Sequence, residues 1–502
     1  MGPKSKIQRL IKRLIPSGGV AERAVKSGIW MAGQNAFGRV LQLVMLIILA
    51  RLIGPSEVGL MGIALLTLSG VRKFTKMGLN SQLIQQVDSN VDAYLNTTWL
   101  LEIARGVVIF TVLFVAAPFI AQVFDTPRAT DMIRVIGLSP LILGLQNPGV
   151  VYFSKNLDFH KRFVYYLSGQ VVQLTVAVGF ALYEPTAWAF ILGFVSGDLM
   201  MLVLSYALHE YRPWPSFDRS KAGELINYGK WLTASSILYW LYSEGDDAFI
   251  GWLLTPAALG FYQYAYQFSN APATEIAQVV SSVMFPALSK LKEDTSKLRE
   301  AYLQTLRVTA FVSFPAAMGI LIISPSFVQV FLGPEWEQMI PVMQILAIFG
   351  LLRAISKTFG PLWKAIGRPD YITKLSFIRV VLLAIFIWPA TEAYGIVGTA
   401  LVVTGIFIFP MMPMDMYLTV KAIDGTFTQV LRELVYPLFA SGAMAAVGWY
   451  TASLLDVPPI VELPLLIVLG VVVYGVLVLF LESQFNWGVR QNFETVLSSI
   501  RA

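Results

Sequence analysis

The chain reads as an all-α polytopic membrane protein: about fourteen transmembrane helices, arranged as two parallel six-helix lobes and a C-terminal helix pair. Three observations predict this. Of 502 residues, 56% are hydrophobic and 14% charged, whereas a soluble chain is about one quarter charged. Mean hydropathy is +0.65. Apolar stretches of about 20 residues, enough for a helix to cross a bilayer, recur from end to end. The segment around Pro55 is also repeated around Pro256.

In chain order, the predicted spans are 27–53, 56–77, 93–123, 129–152, 162–183, 187–208, 224–253, 256–288, 302–332, 337–362, 372–390, 394–420, 432–455 and 462–482. Short turns separate many of them: Gly54-Pro55-Ser56, Tyr183-Glu184-Pro185, Thr255-Pro256 and Gly333-Pro334-Glu335. Ahead of the first span, residues 1–26 form a basic amphipathic segment, with Ile7, Leu10, Ile11, Leu14 and Ile15 on one face and Lys6, Arg9, Lys12 and Arg13 elsewhere. That pattern suits a helix lying on an anionic leaflet. A solvated basic tail is the alternative. The segment lacks the uninterrupted apolar core of a cleavable signal peptide.

Lysine and arginine set the orientation. Alternate loops carry Arg72, Lys73 and Lys76; Lys155, Lys161 and Arg162; Arg212, Arg219 and Lys221; Lys290, Lys292, Lys297 and Arg299; Lys364, Arg368 and Lys374; and Lys421 and Arg432. The opposite loops hold little beyond Arg51, Arg128 and Arg134. Both termini are therefore expected in the cytoplasm, in a multi-pass protein of the cytoplasmic membrane. This bias accounts for the net charge of +6, so nucleic-acid binding is not inferred.

The chain has no cysteine, and its only two histidines, His160 and His209, lie beside charged loops. This excludes thiolate metal sites and cysteine nucleophiles. No catalytic residue, metal or resident cofactor is expected. No loop is long enough to hold a soluble domain, so any chemistry lies within or between helices.

Gly28, Trp30, Pro55 and Gly59 each have an identical residue 201 positions on, at Gly229, Trp231, Pro256 and Gly260. Duplication predicts an N-lobe over 27–221, a C-lobe over 222–421, an extra helix pair over 422–484 and a tail over 485–502. Six spans per lobe is an even number, so the repeats point the same way, as in many transporters with a site between halves. The competing explanation is that Gly-Pro turns recur wherever short loops join helices.

Asp246-x-x-x-Ile250-Gly251, then Leu254, Pro256, Leu259-Gly260-Phe261-Tyr262 and Ala265-Tyr266, resembles the mid-chain signature of polysaccharide transporters. Ala50-Arg51-Leu52-Ile53-Gly54-Pro55 with Val58-Gly59 resembles their first hairpin, and Gly78-Leu79 with Leu83-Ile84-Gln85 the end of their second helix. This family contains the O-antigen and exopolysaccharide flippases, in a superfamily with multidrug extrusion and lipid II flippases. The resemblance implies a flippase, not an enzyme. It would carry a polyprenyl- or dolichyl-(di)phosphate-linked oligosaccharide to the outer leaflet by alternating access, as a monomer among membrane lipids and glycan-assembly proteins.

Charges at membrane depth cost about 2.5–3.5 kcal/mol each on insertion scales, so they tend to face cavities or partners. Arg39, Arg105, Arg307, Arg353, Lys357 and Arg379 are the candidate substrate-binding cations. Arg353 and Lys357 share a helical face at i, i+4, and arginine can grip phosphate oxygens through two parallel hydrogen bonds. Each cation could instead pair with an acid, as Arg105 could with Glu102, or snorkel, as Arg379 could. Glu244, Asp246 and Asp247 are candidates for coupling to Na⁺ or H⁺. Asp246 and Asp247 point about 100° apart, so they cannot share one face. A salt bridge between lobes, the plainer role, and an exposed place near the outer mouth are also open to Asp246. Asp198, Glu275 and Asp415 are further intramembrane acids of unassigned role, and Trp231, Tyr239, Trp240 and Tyr242 are candidate sugar-stacking or belt aromatics.

Two rivals to a glycan flippase are a drug/cation antiporter and a membrane-embedded glycosyltransferase or polymerase. The antiporter would favour an acidic, aromatic cavity. The enzyme would need a sizeable extramembrane loop or domain carrying catalytic groups.

Overall fold

A computed structural model describes residues 20–75, 92–485 and 487. The basic segment up to residue 19, the motif at 78–85, and the tail except positions 485 and 487 lie outside the described residues. So do the side chains of Trp231 and Glu275.

Every regular element among the described residues is helical. The helices are α1 Val20–Leu52, α2 Pro55–Phe74, α3 Asp92–Val123, α4 Ala129–Ile136, α5 Leu138–Gly144, α6 Val151–Lys155, α7 Phe159–Tyr183 and α8 Trp188–Leu208. They continue as α9 Arg219–Leu253, α10 Pro256–Leu291, α11 Thr295–Phe327, α12 Ile340–Ala365, α13 Asp370–Ile406, α14 Met412–Ala422, α15 Phe427–Leu454 and α16 Pro459–Phe485.

Among the described residues, nine helical stretches are long and apolar enough to cross a membrane, or ten if one bent pair counts as a span. That measure does not reach fourteen. It takes Asp370–Ala422 as one stretch, where two spans are expected. It also omits α2, α9 and α10, which stand at expected positions but carry polar groups: Arg72 and Lys73 in α2, Glu244, Asp246 and Asp247 in α9, and Gln263, Gln267 and Asn270 in α10.

Three local features depart from unbroken spans. The predicted span 129–152 is bent by 74° between Ala129–Gly144 and Pro148–Lys155. Pro148 has no N–H to continue a helix, and buried Asn147 holds the break: its N–H donates to Ser205 Oγ at 3.0 Å, its Nδ2 to the Tyr211 carbonyl at 2.6 Å, and its Oδ1 accepts the Gly149 N–H at 2.9 Å. Inside α13, Gly395 takes φ 57°, ψ −140° and separates the two spans expected there. Thr391 and Thr399 hydroxyls meet across that reversal at 2.7 Å. The predicted span 394–420 breaks again at Phe407–Met411, where Phe409 leaves the helical region (φ −148°, ψ 125°) beside Pro410.

The chain divides into two compact units, Met1–Gly260 and Phe261–Ala502. In the first, α7 packs against α8 and α1, α3 against α4 and α5, and α2 against α4 and α9. Trp240 of α9 donates from Nε1 to Ser69 Oγ of α2 at 2.8 Å, so this indole belongs to a helix contact. Tyr239 is half exposed beside Lys73, whose Nζ lies 5.4 Å from its ring.

In the second unit, α11 is central, packing against α12, α15 and α16. Its core gathers Leu306, Ala310 and Phe314 of α11 with Leu351, Ile355 and Phe359 of α12. A smaller cluster joins Ala440 and Met444 of α15 to Tyr474 and Val478 of α16.

α15 starts at a reciprocal cap: Thr426 Oγ1 accepts the Gln429 N–H at 3.3 Å, and Gln429 Oε1 accepts the Thr426 N–H at 3.0 Å. Replacing Thr426 with alanine is expected to cost about 1 kcal/mol, seen as a lower Tm in detergent, whereas serine, which keeps the capping hydroxyl, should lose little.

Candidate functional site: charges on the membrane helices

In the first unit, Arg39 lies on a half-buried face of α1 and donates from Nη1 to Gln42 Oε1 at 2.8 Å. One residue back, Gly38 packs against the Gln170 amide of α7, which a Cβ there would approach to 2.7 Å. The α1–α7 surface around Arg39 is therefore lined with amides, donors and acceptors that lipid tails would leave unsatisfied.

Arg105 of α3 donates from Nη1 to Glu102 Oε2 at 2.8 Å, the i, i+3 pair anticipated from sequence. It also reaches the end of α2, at 3.5 Å to both Thr75 Oγ1 and the Arg72 carbonyl. Arg72 itself donates to Ser139 Oγ, and Ser139 donates to Asp198 Oδ2. The Arg72–Asp198 charges are 3.7 Å apart. This chain across α2, α5 and α8 assigns a partner to Asp198. In sequence Arg72 sits with Lys73 and Lys76 at a basic loop, and nothing local marks it as a partner of Asp198.

The acids of α9 fall in different surroundings, as their spacing requires. Asp246 is buried, while Glu244 and Asp247 are half-buried. Asp247 Oδ1 is enclosed and accepts no hydrogen bond. Among the described residues, no group of three or more His, Asp or Glu side chains is placed to hold a metal ion.

In the second unit, two candidate cations are held by acids. Arg307 of α11 grips Glu433 of α15 with two bonds, Nε to Oε2 at 2.6 Å and Nη2 to Oε1 at 3.0 Å. Trp487 Nε1 adds a third at 3.1 Å. Arg379 of α13 donates from Nη2 to Asp415 Oδ2 of α14 at 2.7 Å, and Ser356 Oγ of α12 donates to the same oxygen at 3.3 Å. Arg379 is 13% exposed in its side chain, so it does not snorkel to solvent.

Arg353 of α12 donates to the Tyr266 hydroxyl of α10, with its guanidinium 5.6 Å from the ring centroid. Phe349 supports that ring at 5.9 Å. Arg353, Ser356 and Lys357 share a half-buried face of α12, while Ala354, Ile355, Thr358 and Phe359 are buried. On α10, Gln263, Tyr266 and Gln267 share a half-buried face at i, i+3, i+4. The structure thus brings Arg353 to Tyr266 and sets Lys357 one turn along the same half-buried face of α12. It gives Arg307 and Arg379 to partners in α15 and α14.

Cations, amides and an aromatic ring on half-buried faces of apolar helices are the make-up of a membrane transporter. The chain belongs to the polysaccharide biosynthesis protein family, whose model matches residues 48–341. It is 27% identical over 383 residues to the lipopolysaccharide biosynthesis protein WzxC of Escherichia coli (strain K12), covering 76% of this chain and 77% of that one. It is 24% identical over 358 residues to the succinoglycan biosynthesis transport protein ExoT of Rhizobium meliloti (strain 1021), covering 71% of each. Its fold is similar to that of the lipid II flippase MurJ in an inward closed conformation, with TM-score 0.73 and 16% identity over 91% of this chain and 99% of that one.

Proposed function

We propose that this protein is a flippase, carrying a polyprenyl- or dolichyl-(di)phosphate-linked oligosaccharide from the cytoplasmic to the outer leaflet for the assembly of a surface glycan. The observation that carries the reading is the half-buried, amide-rich setting of Arg39, Arg353 and Lys357 on helices of this family's fold. Arginine offers phosphate oxygens a bidentate grip, lysine a point charge, and amides and a tyrosine ring suit sugar hydroxyls and ring faces. The relatives named for lipopolysaccharide biosynthesis and succinoglycan transport support the substrate class.

In this reading, fourteen spans place both termini in the cytoplasm. The lobes 27–221 and 222–421 alternate access around the headgroup while the lipid tail stays in the bilayer, and the pair 422–484 braces the second lobe. The protein acts as a monomer in the cytoplasmic membrane. Glu244, Asp246 and Asp247 are the candidates for coupling to Na⁺ or H⁺.

The test is reconstitution into vesicles with a polyprenyl-diphosphate-linked oligosaccharide and an assay of leaflet accessibility. The headgroup should become accessible on the far leaflet only when the protein is present. Equal rates in protein-free vesicles would refute the reading. Arg39→Ala and Arg353→Ala should each lower export at least tenfold at unchanged membrane levels, about 1.4 kcal/mol or more of lost transport free energy. If Asp246→Asn leaves transport unchanged across Na⁺ concentration and pH, Asp246 is not a coupling residue.

A further inference from the structure

The two halves of the internal repeat meet in one place where nothing but backbone fits. Pro55 and Gly59 begin α2, and their counterparts Pro256 and Gly260 begin α10. A Cβ added at Gly59 would lie 1.7 Å from the Pro256 carbonyl oxygen, and one added at Gly260 would lie 2.3 Å from the Pro55 carbonyl oxygen. The contact is reciprocal: each repeat's glycine faces the other repeat's proline carbonyl. Val58 and Leu259, next to the two glycines, are fully buried. On the α2 side, Glu57 pins the turn, accepting the Ala187 N–H at 3.0 Å and pairing with Arg128 at 2.8 Å. The residue at the matching place on α10 is Ala258, which has no such group.

We propose that this glycine–proline seam is the gate on the side opposite the lysine-rich loops, and that glycine is required at both 59 and 260 for it to shut. The inference rests on the flippase reading, because alternating access demands a contact between repeats that closes and parts. The seam suits that duty. It lies at the start of α2 and α10, on the lysine-poor side. Glycine α-carbons against carbonyls pack closely through van der Waals and weak Cα–H···O contacts, which part at modest cost. The Glu57–Arg128 clamp gives one lip a fixed anchor, leaving the α10 lip to move.

The cysteine-free chain makes a direct test simple. Leu259→Cys is placed alone and with Gly59→Ala, and a membrane-impermeant maleimide is added on the face opposite the lysine-rich loops. The single variant should react slowly and the double variant at least tenfold faster, with export through Gly59→Ala and through Gly260→Ala lost to a similar degree. Gly179→Ala, where a Cβ meets nothing within 4 Å, should change neither. Equal labelling in the single and double variants would overturn the proposal.

Because alanine at the seam could also hinder folding, a second measurement keeps both glycines. Ser56→Cys with Ala257→Cys, bridged by a short reducible bismaleimide, should stop export, and reduction should restore it. Each cysteine alkylated singly should leave export intact. Continued export through the bridged protein would overturn the gate. The labelling readout needs no substrate, so faster labelling in a protein that moves no lipid-linked glycan would sustain the gate and refute the substrate assignment.

Discussion

Replacing Glu433 with alanine is expected to destabilise the protein by about 3–5 kcal/mol, the cost of breaking a buried ion pair and leaving its partner uncompensated. The carboxylate receives three hydrogen bonds, two from Arg307 and one from Trp487. Its side chain is 7% exposed, that of Arg307 22%. The loss should appear as a much lower Tm in detergent and less protein in the membrane. Arg307→Met with Glu433→Leu separates two roles for the arginine. If the pair only joins α11 to α15, the apolar double variant should regain most of the stability and keep export, because matched hydrophobic replacements of buried pairs are often neutral. If Arg307 also handles substrate, the double variant should fold but export at least tenfold less glycan. Full export by the stable double variant would remove Arg307 from the candidate substrate ligands.

What could be read from sequence follows the range of the interactions. Arg105 and Glu102 are three residues apart on one helix, so their pairing was visible in the spacing. Arg307 and Glu433 are on helices four spans apart in the predicted order, and nothing near Glu433 in sequence marks it as a partner. Asp198 stood out as an acid at membrane depth, but nothing local pointed to Ser139 or Arg72 as its partners. The Pro-Gly repeat was legible as a constant offset of 201 positions between identical residues. That the two copies touch is a tertiary fact. Hydropathy located the spans but not their breaks. The bend at Asn147 needs Ser205 to accept the freed Asn147 N–H and the Asn147 amide to reach the Tyr211 carbonyl, and the break at Phe409 falls inside a stretch of unbroken hydropathy.

That second break gives Asp415 its importance, and Asp415→Ala is the other substitution expected to cost about 3–5 kcal/mol. The chain leaves helical geometry at Phe409 and resumes in α14. Asp415 then receives hydrogen bonds from Arg379 before the break and from Ser356 on a neighbouring helix. Arg379 also lies 4.5 Å over the ring of Phe407, at the break itself. One carboxylate therefore joins three helices around an interruption that frees backbone groups at membrane depth, where unmet hydrogen bonds are most costly. With alanine at 415, the Arg379 guanidinium keeps its burial and loses its counter-charge. A carboxamide at 415 could still accept from Arg379, so Asp415→Asn should lose clearly less stability than alanine. Arg379→Met with Asp415→Leu should recover much of the Tm. Equal loss in the alanine and asparagine variants would show that charge, not hydrogen bonding, holds the join. A Tm unchanged by Asp415→Ala would show that the helices keep their places around the break without the pair.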